Sequence, residues 1–143
     1  YIIIMDNINP NLWGPSGWKF LHYITLSYPD YPDKTIKETF KNFFTDLYKI
    51  LPCEKCRLNY IDHLKIYPIN DNVLKNKESI VKWLINMHNL VNVINNKKEF
   101  SYTDFKNEYE IYDNTYNNNQ YFIIIFLTLL FILLIIIFLK NLK

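Results

Sequence analysis

Apolar and polar residues recur along the first hundred positions with a helical period. Ile36, Phe40, Phe43, Phe44, Leu47 and Leu51 fall at i, i+4, i+7, i+8, i+11 and i+15, the stripe of one amphipathic helix of about 18 residues. Pro32 and Asp33 mark its start and Pro52 its end. Upstream, Trp18, Leu21, His22 and Thr25 share a helical face that closes at Tyr28-Pro29. A third helix is predicted to begin at Pro52, a residue favoured in a first turn, and to run to Tyr67, before Pro68. After the turn-rich residues 70–76, a fourth carries Ile80, Leu84, Met87, His88, Val91 and Ile94 as its stripe. Residues 101–112 predict a short fifth helix, with Ser101 as N-cap and Asp104 completing a loose capping box. Residues 113–120, DNTYNNNQ, read as a polar linker. No segment shows the two-residue period of a strand, so the expected fold is all-α: a four-helix bundle with a short fifth helix.

The pattern then changes solvent. Residues 121–139, YFIIIFLTLLFILLIIIFL, contain no charge, and Thr128 is their one aliphatic polar interruption. As a helix they reach roughly 28 Å, close to a hydrocarbon core of about 30 Å. A small domain could not bury a helix apolar on every side, so a C-terminal transmembrane helix is expected, followed by a short basic tail over 140–143. Residues 2–4 are too short an apolar run for a signal peptide, and Met5 fits a natural start. The tail lysines favour one topology by the positive-inside rule, and tail-anchor insertion, which leaves the domain in the cytosol, favours the other.

Composition narrows the chemistry. Twelve Tyr and ten Phe imply an aromatic core, and a net charge of +2 with no basic stripe argues against nucleic acid. The two cysteines form Cys53-x-x-Cys56 in LPCEKCR. With His63 and His88 they could complete a zinc site, although two histidines 25 residues apart are an unusual half of one. They could also be two unpaired thiols. A redox disulfide has support from its position, because free N–H groups and the dipole of a helix start stabilise a thiolate, and Lys55 and Arg57 add positive charge. A stabilised thiolate is also the better leaving group. Electrons accepted by such a pair must go on to a carrier that no side chain provides, and a flavin is one.

Two further clusters bear on that carrier. In MHNLVN, His88 and Asn92 share one helical face with Asn89 beside them, and each polar group on an apolar helix needs partners that a heteroaromatic ligand would supply. In WGPSGW, two Trp, both glycines of the chain and Pro15 fall within six residues. That run reads either as an apolar staple or as a close backbone approach to a ligand at Gly14 and Gly17.

WGPSGWKFLH (13–22), LPCEKCR (51–57) and WLINMHNLVNVINNKKEF (83–100) together resemble, in order and spacing, the Erv/ALR family of FAD-linked sulfhydryl oxidases. WGPxxW with LPCxxCR is most similar to the short forms of large DNA viruses. The resemblance covers residues 9–110, with the domain placed at 5–112. It implies a bundle holding FAD, homodimeric through its first two helices. It also implies an enzyme that oxidises protein dithiols, or a thioredoxin-like carrier, with O2 as acceptor and H2O2 as product. Cys56 then matches the cysteine beside the flavin, and Cys53 the outward cysteine that substrate thiolates attack. Trp13, Gly14, Trp18, His22 and Tyr28 match cofactor contacts, and His88, Asn89, Val91, Asn92 and Lys97 match the segment around its adenine and ribose-phosphate end. Tyr109 falls where the family has a Trp; Glu108 replaces a basic neighbour, and Pro15 stands where cellular members carry Arg. The shuttle cysteines of cellular members are missing, so substrate is expected to reach Cys53 directly. No metal is expected on this reading. A non-enzymatic, membrane-tethered zinc adaptor is the competing one.

Overall fold

The computed structural model describes residues 6–141; Met5, residues 1–4, and Leu142 and Lys143 of the tail lie outside them. All regular structure among the described residues is helical. The chain divides into two compact units, Tyr1–Tyr102 and Thr103–Lys143.

The first unit holds α1 (Pro10–Leu26), α2 (Lys34–Asp46), α3 (Glu54–Ile66) and α4 (Lys77–Ile94), with 3-10 turns at Leu47–Ile50 and Val73–Lys75. α1 starts eight positions before Trp18, the first residue of its predicted face. Asn9 accepts the Asn11 N–H at 3.0 Å as N-cap and Pro10 takes the first helical position, so the helix is set before WGPSG and runs through it. Pro15 lies inside and contributes no N–H. α2 begins where predicted, with Asp33 accepting from the Ile36 N–H at 2.8 Å, and its last turn tightens to 3-10. α3 departs from expectation by two residues: its N-cap is Cys53, extended at φ −155°, and Pro52 stays outside.

α4 has an N-cap at Asn76, which accepts from the Ser79 N–H and hydroxyl. Its C-terminus is a Schellman motif built without glycine. Asn96 takes the left-handed position at φ 53°, its N–H reaching Val93 O at 3.1 Å and the Lys97 N–H reaching Asn92 O at 2.8 Å. Asparagine tolerates that conformation better than other side chains with a Cβ.

The core of this unit is aromatic, as the composition implied. Phe44 meets Trp83 edge-on at 5.1 Å and Phe43 at 4.9 Å, and Tyr28 meets Phe40 at 4.7 Å. Leu74, Ile80, Leu84 and Met87 fill the space between. Burying each such side chain stabilises by about 1.5–3 kcal/mol. Polar tips of buried rings find carbonyl partners: Tyr28 Oη on Leu74, Tyr60 Oη on Phe44 and Trp83 Nε1 on Tyr67, each at 2.8 Å. The buried face of α4 is wider than its predicted stripe, adding Val81, Trp83 and Ile85, and the stripe's last member, Ile94, is exposed.

α5 (Tyr102–Phe105) passes through one π turn, Lys106–Glu110, into α6 (Ile111–Asn141). Residues 113–120, expected as a linker, are helical and part of α6. Neither Pro nor Gly interrupts residues 103–141, so a helix set by the apolar run propagates backward at one hydrogen bond per residue.

Candidate redox and cofactor site

Cys53 and Cys56 are joined as a disulfide with their Cα atoms 5.1 Å apart. One is the N-cap of α3 and the other stands three positions in, where the helix brings them side by side. Cys53 Sγ accepts the Cys56 N–H at 3.2 Å, doing with sulfur what a Ser or Asp oxygen does at other caps. The loop ahead of the helix is fixed by Arg57, whose Nη1 donates to Leu51 O at 2.7 Å. The dipole at this helix start favours negative charge on the sulfurs.

The resemblance makes Cys53 the outward cysteine, but here it is only 5% exposed while Cys56 is half-buried. Residues 7 and 8 are bonded to the chain on both sides of Cys53. Asn7 Oδ1 accepts the Glu54 N–H at 3.1 Å and the Ile8 N–H donates to Pro52 O at 2.7 Å, so this segment crosses Cys53 from one side of its backbone to the other. Trp13 Nε1 donates to Ile8 O at 3.4 Å. Neither Asn7 nor Ile8 stood out in the sequence, since nothing local says that a residue before a helix will bond 47 positions away, as Asn7 does.

The second cluster forms where α1 packs on α4. Trp18 stacks on His88 at 4.1 Å and 11°, and His22 Nε2 lies 3.2 Å from His88 Nδ1. Phe100 closes on both imidazoles at just over 6 Å. Burial, then the neighbouring His88, pushes the His22 pKa down to about 3. Burial, then the Lys97 charge, pushes His88 down to about 4. Both rings are therefore neutral at physiological pH, and each can offer one donor and one acceptor.

Asn89 is bonded within the chain itself. Its Nδ2 donates to Phe100 O at 2.9 Å and its Oδ1 accepts the Phe100 N–H at 2.8 Å, so it fastens the segment after α4. Asn92, largely buried, donates to Asn89 Oδ1 at 3.2 Å, and the Schellman turn at its carbonyl brings Lys97 within electrostatic reach of His88. Val91 is half-buried beside them.

The other expected contacts divide. Gly14 has no heavy atom within 4 Å of where a Cβ would stand, so a ligand could approach its backbone. At Gly17 a Cβ would meet the Trp13 ring at 3.2 Å, so this glycine makes room for the indole. Tyr28 has no exposed surface and its hydroxyl is bonded to Leu74, which makes it a core residue. Tyr109 belongs to the second unit, where it is buried and stacks on Phe105 at 4.9 Å. His88 pairs with His22, away from the zinc arrangement, and among the described residues no three His, Cys, Asp or Glu side chains gather as a metal site.

A stacking indole, two neutral imidazoles, a buried amide and a lysine on one side of the bundle suit a planar heteroaromatic group that carries phosphates. The residues present therefore fit FAD, the group expected from the resemblance.

Comparison with known proteins agrees with this arrangement. The sequence profile of the Erv1 / Alr family matches residues 15–110. The probable FAD-linked sulfhydryl oxidase of Acanthamoeba polyphaga mimivirus is 43% identical over 97 residues, 68% of either chain. The FAD-linked sulfhydryl oxidase of an African swine fever virus isolate is 33% identical over 98 residues, 68% of this chain and 80% of that one. The crystal structure of the yeast Erv1 core superposes with a TM-score of 0.64 at 25% identity, covering 76% of this chain and 89% of that one. By profile, by sequence and by fold, the chain belongs to the Erv1/Alr family.

Proposed function

We propose that this chain is an FAD-linked sulfhydryl oxidase, one that makes disulfide bonds in protein dithiols and passes the electrons to O2. The observation that carries the reading is the Cys53–Cys56 disulfide at the start of α3, where the helix dipole favours a thiolate. A substrate thiolate attacks Cys53 Sγ, the Cys53–Cys56 bond breaks, and Cys56 leaves as a thiolate stabilised by the helix start. The second substrate thiol displaces Cys53, releasing oxidised substrate and leaving two electrons on the pair. FAD, when bound, accepts those electrons two at a time and gives them to O2, so the balance is 2 R-SH + O2 → R-S-S-R + H2O2.

Trp18, His22, His88, Val91, Asn92 and Lys97 would hold the cofactor. Gly14 would leave room for it, and Trp13, Tyr28 and Asn89 would shape the walls from behind. Tyr109 is assigned to the site on the resemblance alone. The neutral imidazoles offer hydrogen bonds without placing positive charge beside the ring system, and Lys97 would meet the phosphates.

Two further parts of the reading concern assembly. α1 leaves Leu12, Phe20 and Tyr23 exposed on one face, which supports a homodimer through this helix. Gln120–Ile137 of α6 has a mean hydropathy of 3.0 with none of it buried, which supports a single-pass anchor that holds the oxidase domain, residues 5–112, at a membrane. The domain would face the cytosol there, and protease protection on intact membranes reads that topology.

The decisive assay is oxygen uptake with dithiothreitol by the purified, yellow protein. Cys56→Ala should abolish uptake while flavin absorbance stays. Uptake at the unsubstituted rate would remove Cys56 from the mechanism, and a colourless protein would remove the oxidase.

A further inference from the structure

We infer that Asn7 and Ile8 set which thiols reach Cys53, by holding the backbone edge that an extended, cysteine-bearing segment of a protein substrate would take. The inference rests on the thiol-oxidase reading. Exchange requires a thiolate to arrive at one particular sulfur, and Cys53 is 5% exposed. The two backbone groups flanking it point outward as an acceptor and a donor, Pro52 O and Glu54 N–H. They are satisfied by Ile8 N–H at 2.7 Å and Asn7 Oδ1 at 3.1 Å.

An extended chain presents the same alternation of N–H and C=O, and adding such a chain to an open edge is a general mode of peptide capture. Residues 7 and 8 thus stand in for substrate backbone. They are also easily displaced: both are exposed, Ile8 at 45%, and no member of the buried core lies among residues 6–9. Trp13, reaching Ile8 O from α1, holds the segment in register. A protein thiol with a free backbone on either side can replace both bonds as it enters. A small dithiol cannot, and reacts only in the fraction of time the segment is away.

The chemistry is the exchange already described: the substrate thiolate forms a new S–S bond to Cys53 while Cys56 leaves with the electron pair. Access is therefore read at that step, without flavin. The full chain in detergent micelles would be mixed with either dithiothreitol or reduced, unfolded ribonuclease, then quenched with a maleimide and weighed. Asn7→Ala should speed reduction of Cys53–Cys56 by dithiothreitol, which must wait for the segment to leave, about tenfold, the worth of one net hydrogen bond, and by the reduced ribonuclease, which replaces that bond as it enters, by less. Asn7→Asp keeps an acceptor for Glu54 N–H and should be no faster than the unsubstituted chain. Flavin content should be the same in all three.

Loss of a helix cap alone would speed both thiols equally, so an equal gain overturns the inference, as does no gain or a loss. If Asn7→Ala loses helical circular dichroism, Ile8→Pro decides instead: it removes the N–H donor of the second bond at an exposed site and should show the same selective gain. Absence of oxygen uptake alongside normal disulfide reduction would count against the oxidase reading and leave the access test standing.

Discussion

Acid should unfold this protein through two rings that never touch bulk water as cations. His22 has no exposed surface, and its pKa is held at about 3; His88, stacked under Trp18, is held at about 4. In the unfolded chain both return to about 6.5. Above that pH neither state carries the protons, and the stability contributed by neutral packing is fully present. Below it the unfolded chain takes up a proton at each ring and the native chain does not, so stability falls with pH until the native values are reached. Integrating the linkage from pH 7 to pH 5 gives a loss of about 2 kcal/mol for each histidine. Burial also lowers the pKa of His63, which adds to the loss in the same direction. Against a total stability of about 5–15 kcal/mol, a fall of about 4 kcal/mol is readily measured. Urea denaturation of the flavin-free chain in micelles, followed by tryptophan fluorescence at half-unit steps of pH, gives the curve. His88→Gln should remove about half of the slope, whatever it does to the stability at pH 7. A stability that stays level between pH 7 and 5 would show that the rings accept protons in the native state, and would refute both the burial argument and the neutral-ring picture of the cofactor site.

Two further outcomes follow from the same geometry. Asn89→Ala strips three hydrogen bonds, two of them to the Phe100 backbone, and should cost about 1–3 kcal/mol; amide exchange at Phe100 should quicken, and unchanged protection there would return Asn89 to a purely cofactor role. Gly14→Ala should stabilise the flavin-free chain by about 0.5–1 kcal/mol, since the added Cβ meets nothing within 4 Å in mid-helix; thermal melting checks the gain, and a loss of flavin retention in the same variant is the sign that the cofactor lies against that backbone.

The helices were legible because their signals are local. The stripe from Ile36 to Leu51, the start at Pro32 and Asp33 and the stop at Pro52 all lie within a few residues of what they specify. The pairing of Trp18 and His22 with His88 was legible in a weaker sense: each segment carried an unusual cluster, but only helix packing says that α1 lies on α4. What the sequence did not disclose was division of labour within a motif. Asn89 and Asn92 look alike on paper, yet one spends its amide on Phe100 and the other on its neighbour. Gly14 and Gly17 look alike too, until the Trp13 ring is seen over the second. Tyr28 fits a cofactor pattern and a core pattern equally well, and only the structure shows its hydroxyl spent on Leu74. The 3-10 turn after α2, the shift of the α3 start from Pro52 to Cys53 and the helical residues 113–120 were missed because they depend on how far a helix extends, a small free energy at each end.

The cap at Cys53 has a consequence for how the protein endures its own chemistry. A bridge across a sequence separation of 3 closes so short a loop that it restrains the unfolded chain little, and the sulfur accepts the Cys56 N–H in a role a thiolate fills at least as well. The first turn of α3 is thus anchored alike in both redox states. Opening and resealing the bond through many cycles asks nothing of the scaffold, and the fold can be complete in a newly made chain before any oxidant arrives.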